Sequence, residues 1–194
     1  MRRVLFAFLC LVMVPRAIWA QPPTPNAGTF EVFALAGPSY MWDDEGYLGT
    51  AFVGGAGIGY RLGHVGFEGL FDWRRHQPDF GNDVVIRATA TRLTGRLLYY
   101  FRRAGVRPYA GGSIGLWHVD RFSAFPEDCR LVDHQFVCSG SREFQSSDRA
   151  RALSAIAGVR VPSGRWFVRP EFEMGQTGNW DLTIAGTVVV GFGW

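Results

Sequence analysis

Several groups of residues in this chain have types and spacings that could do chemistry. His118 and Ser123 offer a base and a nucleophile, which covalent catalysis needs within hydrogen-bond reach. Their separation is odd, however, so on one strand their side chains point to opposite faces. Glu68 and Asp72 form a carboxylate pair of the kind used in acid–base work, but arginines expected beside them favour a structural ion-pair role. Asp43, Asp44 and Glu45 are an acidic cluster of the kind that recruits a divalent cation, although solvated loop acids are the commoner meaning. Cys129 and Cys138 flank His134, which gives three candidate zinc ligands and no fourth. Gly54, Gly55, Gly57 and Gly59 look like a phosphate loop without the strand-to-helix setting that such a loop requires. These residues give no expectation of a catalytic, cofactor or metal site.

The elements that must position them begin with an export segment. Residues 1–20 carry Arg2 and Arg3, then the apolar run VLFAFLCLVMV, then Ala17-Ile18-Trp19-Ala20. A basic start, an apolar core and a small-residue end read as a signal peptide cleaved after Ala20. The run is short of the roughly 20 apolar residues of a membrane helix. Cys10 lies inside the apolar core and gives no reason to expect a lipid anchor. Residues 21–28, QPPTPNAG, form a Pro-rich leader, and 29–194 form one domain.

Export changes the charge balance. Arg2, Arg3 and Arg16 account for the whole formal charge of +3, so the mature chain is neutral on paper and offers no basis for nucleic acid as a partner. The chain has no lysine; a GC-rich genome explains this better than function does. In an oxidising compartment, Cys129 and Cys138 are expected to form a disulfide that closes a small loop.

From residue 29 onward no helical periodicity is sustained, whereas strand-like segments recur eight times: 29–40, 50–60, 65–74, 91–101, 106–119, 149–161, 166–174 and the C-terminal run to Trp194. At the C-terminus Leu182, Ile184, Gly186, Val188, Val190, Phe192 and Trp194 take one face, and Thr183, Ala185, Thr187, Val189, Gly191 and Gly193 the other. The links between segments alternate in length: 41–49, 61–64, 75–84, 102–105, 120–148, 162–165 and 176–180. Tight turns on one side and longer loops on the other suit an outer-membrane barrel. The expected fold is therefore all-β, an eight-stranded antiparallel up-and-down transmembrane barrel. Counting back across the short links pairs Tyr60 with Val65, Gly57 with Glu68, Tyr100 with Arg107, Arg96 with Gly111, Gly158 with Arg169 and Ser154 with Glu173. In each hairpin the faces match.

Alternation alone does not say which face is inside. The polar face carries Glu31, Glu68, Asp72, Glu171 and Glu173 against Arg74, Arg92, Arg96, Arg107, Arg160 and Arg169. An arginine held toward lipid at the midplane costs about 2–4 kcal/mol, so in a membrane these charges belong inside. Their signs nearly balance, which predicts an ion network that plugs the lumen. Tyr60, Tyr99, Phe101, Trp166 and Trp194 fall at the short-link end, and Tyr40, Trp42, Trp73 and Trp180 at the other, as two aromatic girdles would.

The ending Phe192-Gly193-Trp194 resembles the C-terminal signal of outer-membrane proteins, whose usual last residue is Phe. Together with Arg107-Pro108-Tyr109-Ala110-Gly111-Gly112-Ser113-Ile114-Gly115, a Pro-Tyr then Gly-rich strand, it makes residues 29–194 resemble the small OmpA/OmpX-like outer-membrane β-barrel domain. The resemblance implies the fold, location in the cell outer membrane among its lipids, and recognition of Phe192 and Trp194 by the barrel-assembly machinery. It implies little about function. An outer-membrane lipid A deacylase carries His-x-Ser on one strand face; His118 and Ser123 do not match it. The expectation is a non-enzymatic barrel without cofactor, structural in the envelope or recognising a surface ligand through the loop 120–148 with Phe122, Phe125 and Phe136. The alternatives are a narrow porin-like solute channel and, further off, a lipid A-modifying enzyme.

Overall fold

The structure is a computed structural model describing residues 28–43, 46–76, 85–132, 135–178 and 181–194, excepting the side chains of 43, 46–48, 76, 85–86, 121, 125–132, 135–141 and 181. The expected signal segment and all of the leader before Gly28 lie outside the described residues. Eight strands follow: β1 (Thr29–Asp43), β2 (Gly46–Leu62), β3 (Val65–His76), β4 (Val85–Tyr100), β5 (Arg107–Val132), β6 (Gln135–Ser163), β7 (Trp166–Thr177) and β8 (Asp181–Gly193). Each pairs antiparallel with its chain neighbour, and β1 closes on β8 through Glu31↔Gly193 to Trp42↔Leu182. Closure leaves no sheet edge in the wall. The fold is an eight-stranded antiparallel up-and-down β-barrel.

The turns correct the registers that four-residue links would give. Leu62 faces Val65 and Ser163 faces Trp166, so Gly63-His64 and Gly164-Arg165 are two-residue turns. Gly63 (φ 58°) and Gly164 (φ 63°) supply the left-handed backbone that such tight hairpins favour. The β4–β5 link is longer than expected, with the Phe101 amide donating to the Pro108 carbonyl at 3.0 Å. As a result Tyr60 faces Phe67 instead of Val65, and Gly57 faces Leu70 instead of Glu68. Tyr100 faces Tyr109 instead of Arg107, and Arg96 faces Ser113 instead of Gly111. Gly158 faces Glu171 instead of Arg169, and Ser154 faces Gly175 instead of Glu173. Every register moves by two residues. Side chains repeat with period two, so the pattern fixes the face but is blind to a slip of that size.

The long links are corrected too. β5 and β6 continue as a paired ladder from Asp120↔Ser147 to Val132↔Gln135, through the segment read as a loop. Likewise β1 reaches Asp43 and β2 starts at Gly46, with a register shift at Met41/Trp42 and Gly49 at φ 97°. These segments escape a reading based on apolar alternation because, beyond an apolar environment, both faces of a hairpin meet water and neither has to be apolar. The ladder there is held by backbone pairing that propagates from the wall.

The two faces of the wall differ sharply. Outward-pointing Ile58, Leu93, Ile114, Leu116 and Leu153 are each more than 60% exposed, with Phe52, Phe71, Leu97, Phe172 and Val190 around them. At the short-turn end Tyr60, Tyr99, Phe101, Trp166 and Trp194 are exposed, and Tyr40, Trp42 and Trp73 at the other; Trp180 lies outside the described residues. A continuous apolar band of this extent is untenable in water and is the pattern of a lipid-facing wall. Inside, Phe33, Leu35, Val53, Leu70, Phe167 and Val189 pack as one apolar cluster, and Leu98, Tyr100, Tyr109 and Ile156 as another. Glycines opposite the bulky groups make room. A Cβ on Gly57 would stand 2.5 Å from the Phe33 ring.

Candidate functional site

Strand parity sends every second side chain inward, and it brings all the charged residues of the polar face into the lumen: Glu31, Glu68, Asp72, Arg74, Arg92, Arg96, Arg107, Arg160, Arg169, Glu171 and Glu173 are all buried. The deepest set lies at mid-barrel. Arg169 on β7 makes a two-pronged pair with Glu68 on β3, its Nη2 donating to Oε2 at 2.9 Å and its Nη1 to Oε1. These strands are four apart in a ring of eight, so the pair spans the barrel. Arg96 on β4 reaches across to Glu171 at 2.7 Å and Glu173 at 3.0 Å. Tyr109 donates to the other Glu171 oxygen at 2.8 Å.

Above this layer Arg92 bridges Glu173 (Nη2 to Oε2, 3.0 Å) and Asp72 (Nε to Oδ2, 2.6 Å). Arg74 donates to Asp72 at 3.1 Å and to Ser39 at 3.1 Å. Ser154 donates to Glu173 at 2.8 Å and exchanges a 2.5 Å hydrogen bond with Ser113. The fully buried Trp117 ring caps the stack, with the Arg74 and Arg92 guanidiniums 4.8 and 5.5 Å from its centroid. Below the mid-barrel layer Glu31 accepts from Arg160 at 2.5 Å and from Arg61 at 3.2 Å. Arg160 sits over the Phe167 ring, its guanidinium carbon 3.7 Å from the ring centre. Multiply bonded pairs of this kind suit guanidinium, which presents a planar fork of donors.

Ser39, Tyr109, Ser113, Trp117 and Ser154 belong to this system, although the sequence reading singles out only full charges for it, and so does Arg61, which that reading places in the link 61–64. Parity alone would have found them: Tyr109, Ser113 and Trp117 share the β5 face of Arg107, and Ser154 the β6 face of Arg160.

The other candidate residues are not brought into a reactive arrangement. His118 lies on the outer face of β5, 3.4 Å from exposed Asp120, while Ser123 falls on the inner face. No cluster of three metal-ligating side chains occurs among the described residues. Asp43, Asp44, Glu45 and His134 fall outside the described side chains or residues. The ladder sets the backbone of Cys129 opposite that of Cys138; their side chains, with those of Phe125 and Phe136, are likewise outside the description. At the chain end Phe192 packs edge-on to Trp166 with centroids 5.3 Å apart, and Trp194 stacks near Phe30 at 6.4 Å. Phe30 and Trp194 also exchange backbone hydrogen bonds at 3.1 and 3.0 Å.

A closed eight-stranded barrel with an apolar exterior and an ion-paired interior has the fold of the small outer-membrane barrels of the OmpA/OmpX kind. Solved structures agree. The chain is similar to Neisserial surface protein A, with 15% identity, a TM-score of 0.58, and coverage of 84% of this chain and 96% of that one. It is also similar to Ail, the attachment invasion locus protein of Yersinia pestis, in complex with the heparin analogue sucrose octasulfate, at 13% identity, TM-score 0.57, and 86% and 99% coverage. No family model and no curated protein sequence matches the chain.

Proposed function

We propose that this chain is a non-enzymatic outer-membrane protein whose closed barrel serves as a rigid pedestal for a surface-recognition hairpin. One observation carries the reading. Among the described residues the β5–β6 ladder continues to Val132↔Gln135, whereas β4 pairs with β5 as far as Val85↔Ala124 and β7 with β6 as far as Thr177↔Ala152. Among those residues the hairpin therefore runs on beyond its neighbours as a two-stranded arm. Short turns facing the periplasm and the arm facing outward are the usual orientation of such barrels, and the export signal expected from the sequence of residues 1–20 is consistent with that address.

The charge of the arm narrows the ligand. Asp120, Glu127, Asp128, Asp133, Glu143 and Asp148 outnumber Arg121, Arg130 and Arg142. A polyanion such as the heparin analogue held by Ail is disfavoured on such a surface, and a neutral or basic protein surface is favoured. A disulfide between Cys129 and Cys138 would staple the arm near its tip, consistent with their opposed backbones. Excising residues 125–142 and joining the ends with a Gly-containing turn tests the reading on intact cells. The shortened barrel is expected to stay folded in the outer membrane while adhesion to host-cell surfaces falls to background. Undiminished adhesion would overturn the recognition role.

The channel alternative is opposed by the ties across the lumen, and the enzyme alternative by the opposite faces of His118 and Ser123. Unchanged acylation of lipid A in cells expressing the protein is the expected result by mass spectrometry.

A further inference from the structure

Arg107 stands apart from the rest of the lumen. It is 94% buried, since its relative exposure is 6%, yet no ion pair reaches it among the described residues, and its Nε and Nη1 have no hydrogen-bond partner. The ladder sets it directly opposite Arg160. Like charges directly opposite on a sheet repel. The charges acting on it most are those of Arg61 and Arg160, ahead of Glu31. Glu31 is itself already engaged by both of those arginines. An unpaired buried cation facing two more is an expensive arrangement for folding alone.

The surroundings are of the same sign. Arg102 and Arg103 in the β4–β5 link and Arg165 in the β6–β7 turn are exposed at this same end of the barrel. Glu31 is the acidic side chain that acts most on Arg107 among the described residues. The leader QPPTPNAG contains no acid that could fold back to neutralise the cluster.

We propose that the short-turn mouth of the barrel is an oxyanion site for a phosphate group, with Arg107 as its buried contact, Arg61 and Arg160 beside it, and Arg102, Arg103 and Arg165 as an outer attracting ring. Guanidiniums in a partly dry mouth are suited to phosphate oxygens. The group is supplied either by a lipid headgroup of the adjoining leaflet or by free phosphate. The inference does not depend on what the β5–β6 arm binds.

The test uses the full mature barrel, refolded in nonionic detergent, and reads its unfolding midpoint in inorganic phosphate against chloride at equal ionic strength. Phosphate is expected to raise the wild-type midpoint saturably. Arg107→Gln is expected to be at least as stable as wild type in chloride and to lose the phosphate response, and Arg107→Lys to keep part of it. Nanodiscs of phosphatidylcholine with and without phosphatidylglycerol separate the sources. If the lipid is the ligand, phosphatidylglycerol raises the wild-type midpoint but not that of Arg107→Gln, and added phosphate then has no further effect. If free phosphate is the ligand, its effect persists in both discs. The proposal is overturned if phosphate and chloride act alike on wild type and phosphatidylglycerol has no effect. It is also overturned if Arg107→Gln responds as wild type does, or if Arg107→Gln fails to fold.

Discussion

Arg169 and Glu68 meet across the full width of the barrel, from β7 to β3, through two parallel hydrogen bonds, with both side chains buried. An ion pair in that position ties opposite walls together and fills the space between them. Its worth lies less in net stability than in what happens when one half is lost. Of the ion pairs among the described residues, buried Arg169 without Glu68 keeps only Glu171, 3.3 Å from its Nε, and Glu68 without Arg169 keeps only the 3.9 Å contact with Arg96, so a buried charge is left under-compensated.

Glu68→Gln is therefore expected to destabilise the folded barrel by about 3–5 kcal/mol, the usual cost of breaking a buried pair from one side. Glu68→Leu with Arg169→Met removes both charges and is expected to recover most of that loss. Urea unfolding in detergent, followed by the change in gel mobility between folded and unfolded barrel, measures both.

Arg169–Glu68 and Arg96–Glu171 share the mid-barrel layer, and Arg92–Glu173 lies above them. In planar bilayers the wild-type barrel is expected to show no stable conductance. Replacing Glu68, Arg96, Arg169 and Glu171 together with serine removes the central ties while keeping the charge balanced, and small cation-sized steps are expected from that variant. Steady conductance from the wild type would restore the channel reading.

The wall can be tested independently of the lumen. Ile114 points outward at mid-wall and is 65% exposed. Ile114→Arg is expected to cost about 2–4 kcal/mol in a bilayer if that position meets hydrocarbon. Equilibrium folding into lipid vesicles measures the loss. A soluble barrel would instead tolerate the substitution or become more soluble.

An assembly role for Phe192 and Trp194 can be separated from a role in stability. With both replaced by alanine, the purified chain is expected to refold in detergent, while the fraction folded in the outer membrane of living cells falls several-fold. Equal losses in the two settings would make these rings ordinary packing residues against Trp166 and Phe30.

The parts of this molecule legible in the sequence are those governed by period two. Glu171 and Glu173 on one face of β7, against Phe172 and Met174 on the other, state both the strand and its inside without any tertiary information. The pairing of Glu171 with Arg96, 75 residues away, was not legible, because it depends on registers set by the turns at Gly63, Gly105 and Gly164. A single turn that takes up two residues instead of four moves every cross-strand neighbour and leaves the alternation untouched. The arm from Asp120 to Asp148 was illegible for a different reason. Its strands are specified by backbone pairing in water, where no apolar stripe is required, so composition reads it as a loop.

The proposed outer-membrane barrel holds the β5–β6 arm outside the cell, and an epitope inserted within 133–134, between the paired Val132 and Gln135, tests this. Intact cells are expected to bind antibody to the epitope as strongly as permeabilised ones, with the protein retained in carbonate-washed outer membranes. Labelling that appears only after permeabilisation, or release of the protein by carbonate, would contradict the account.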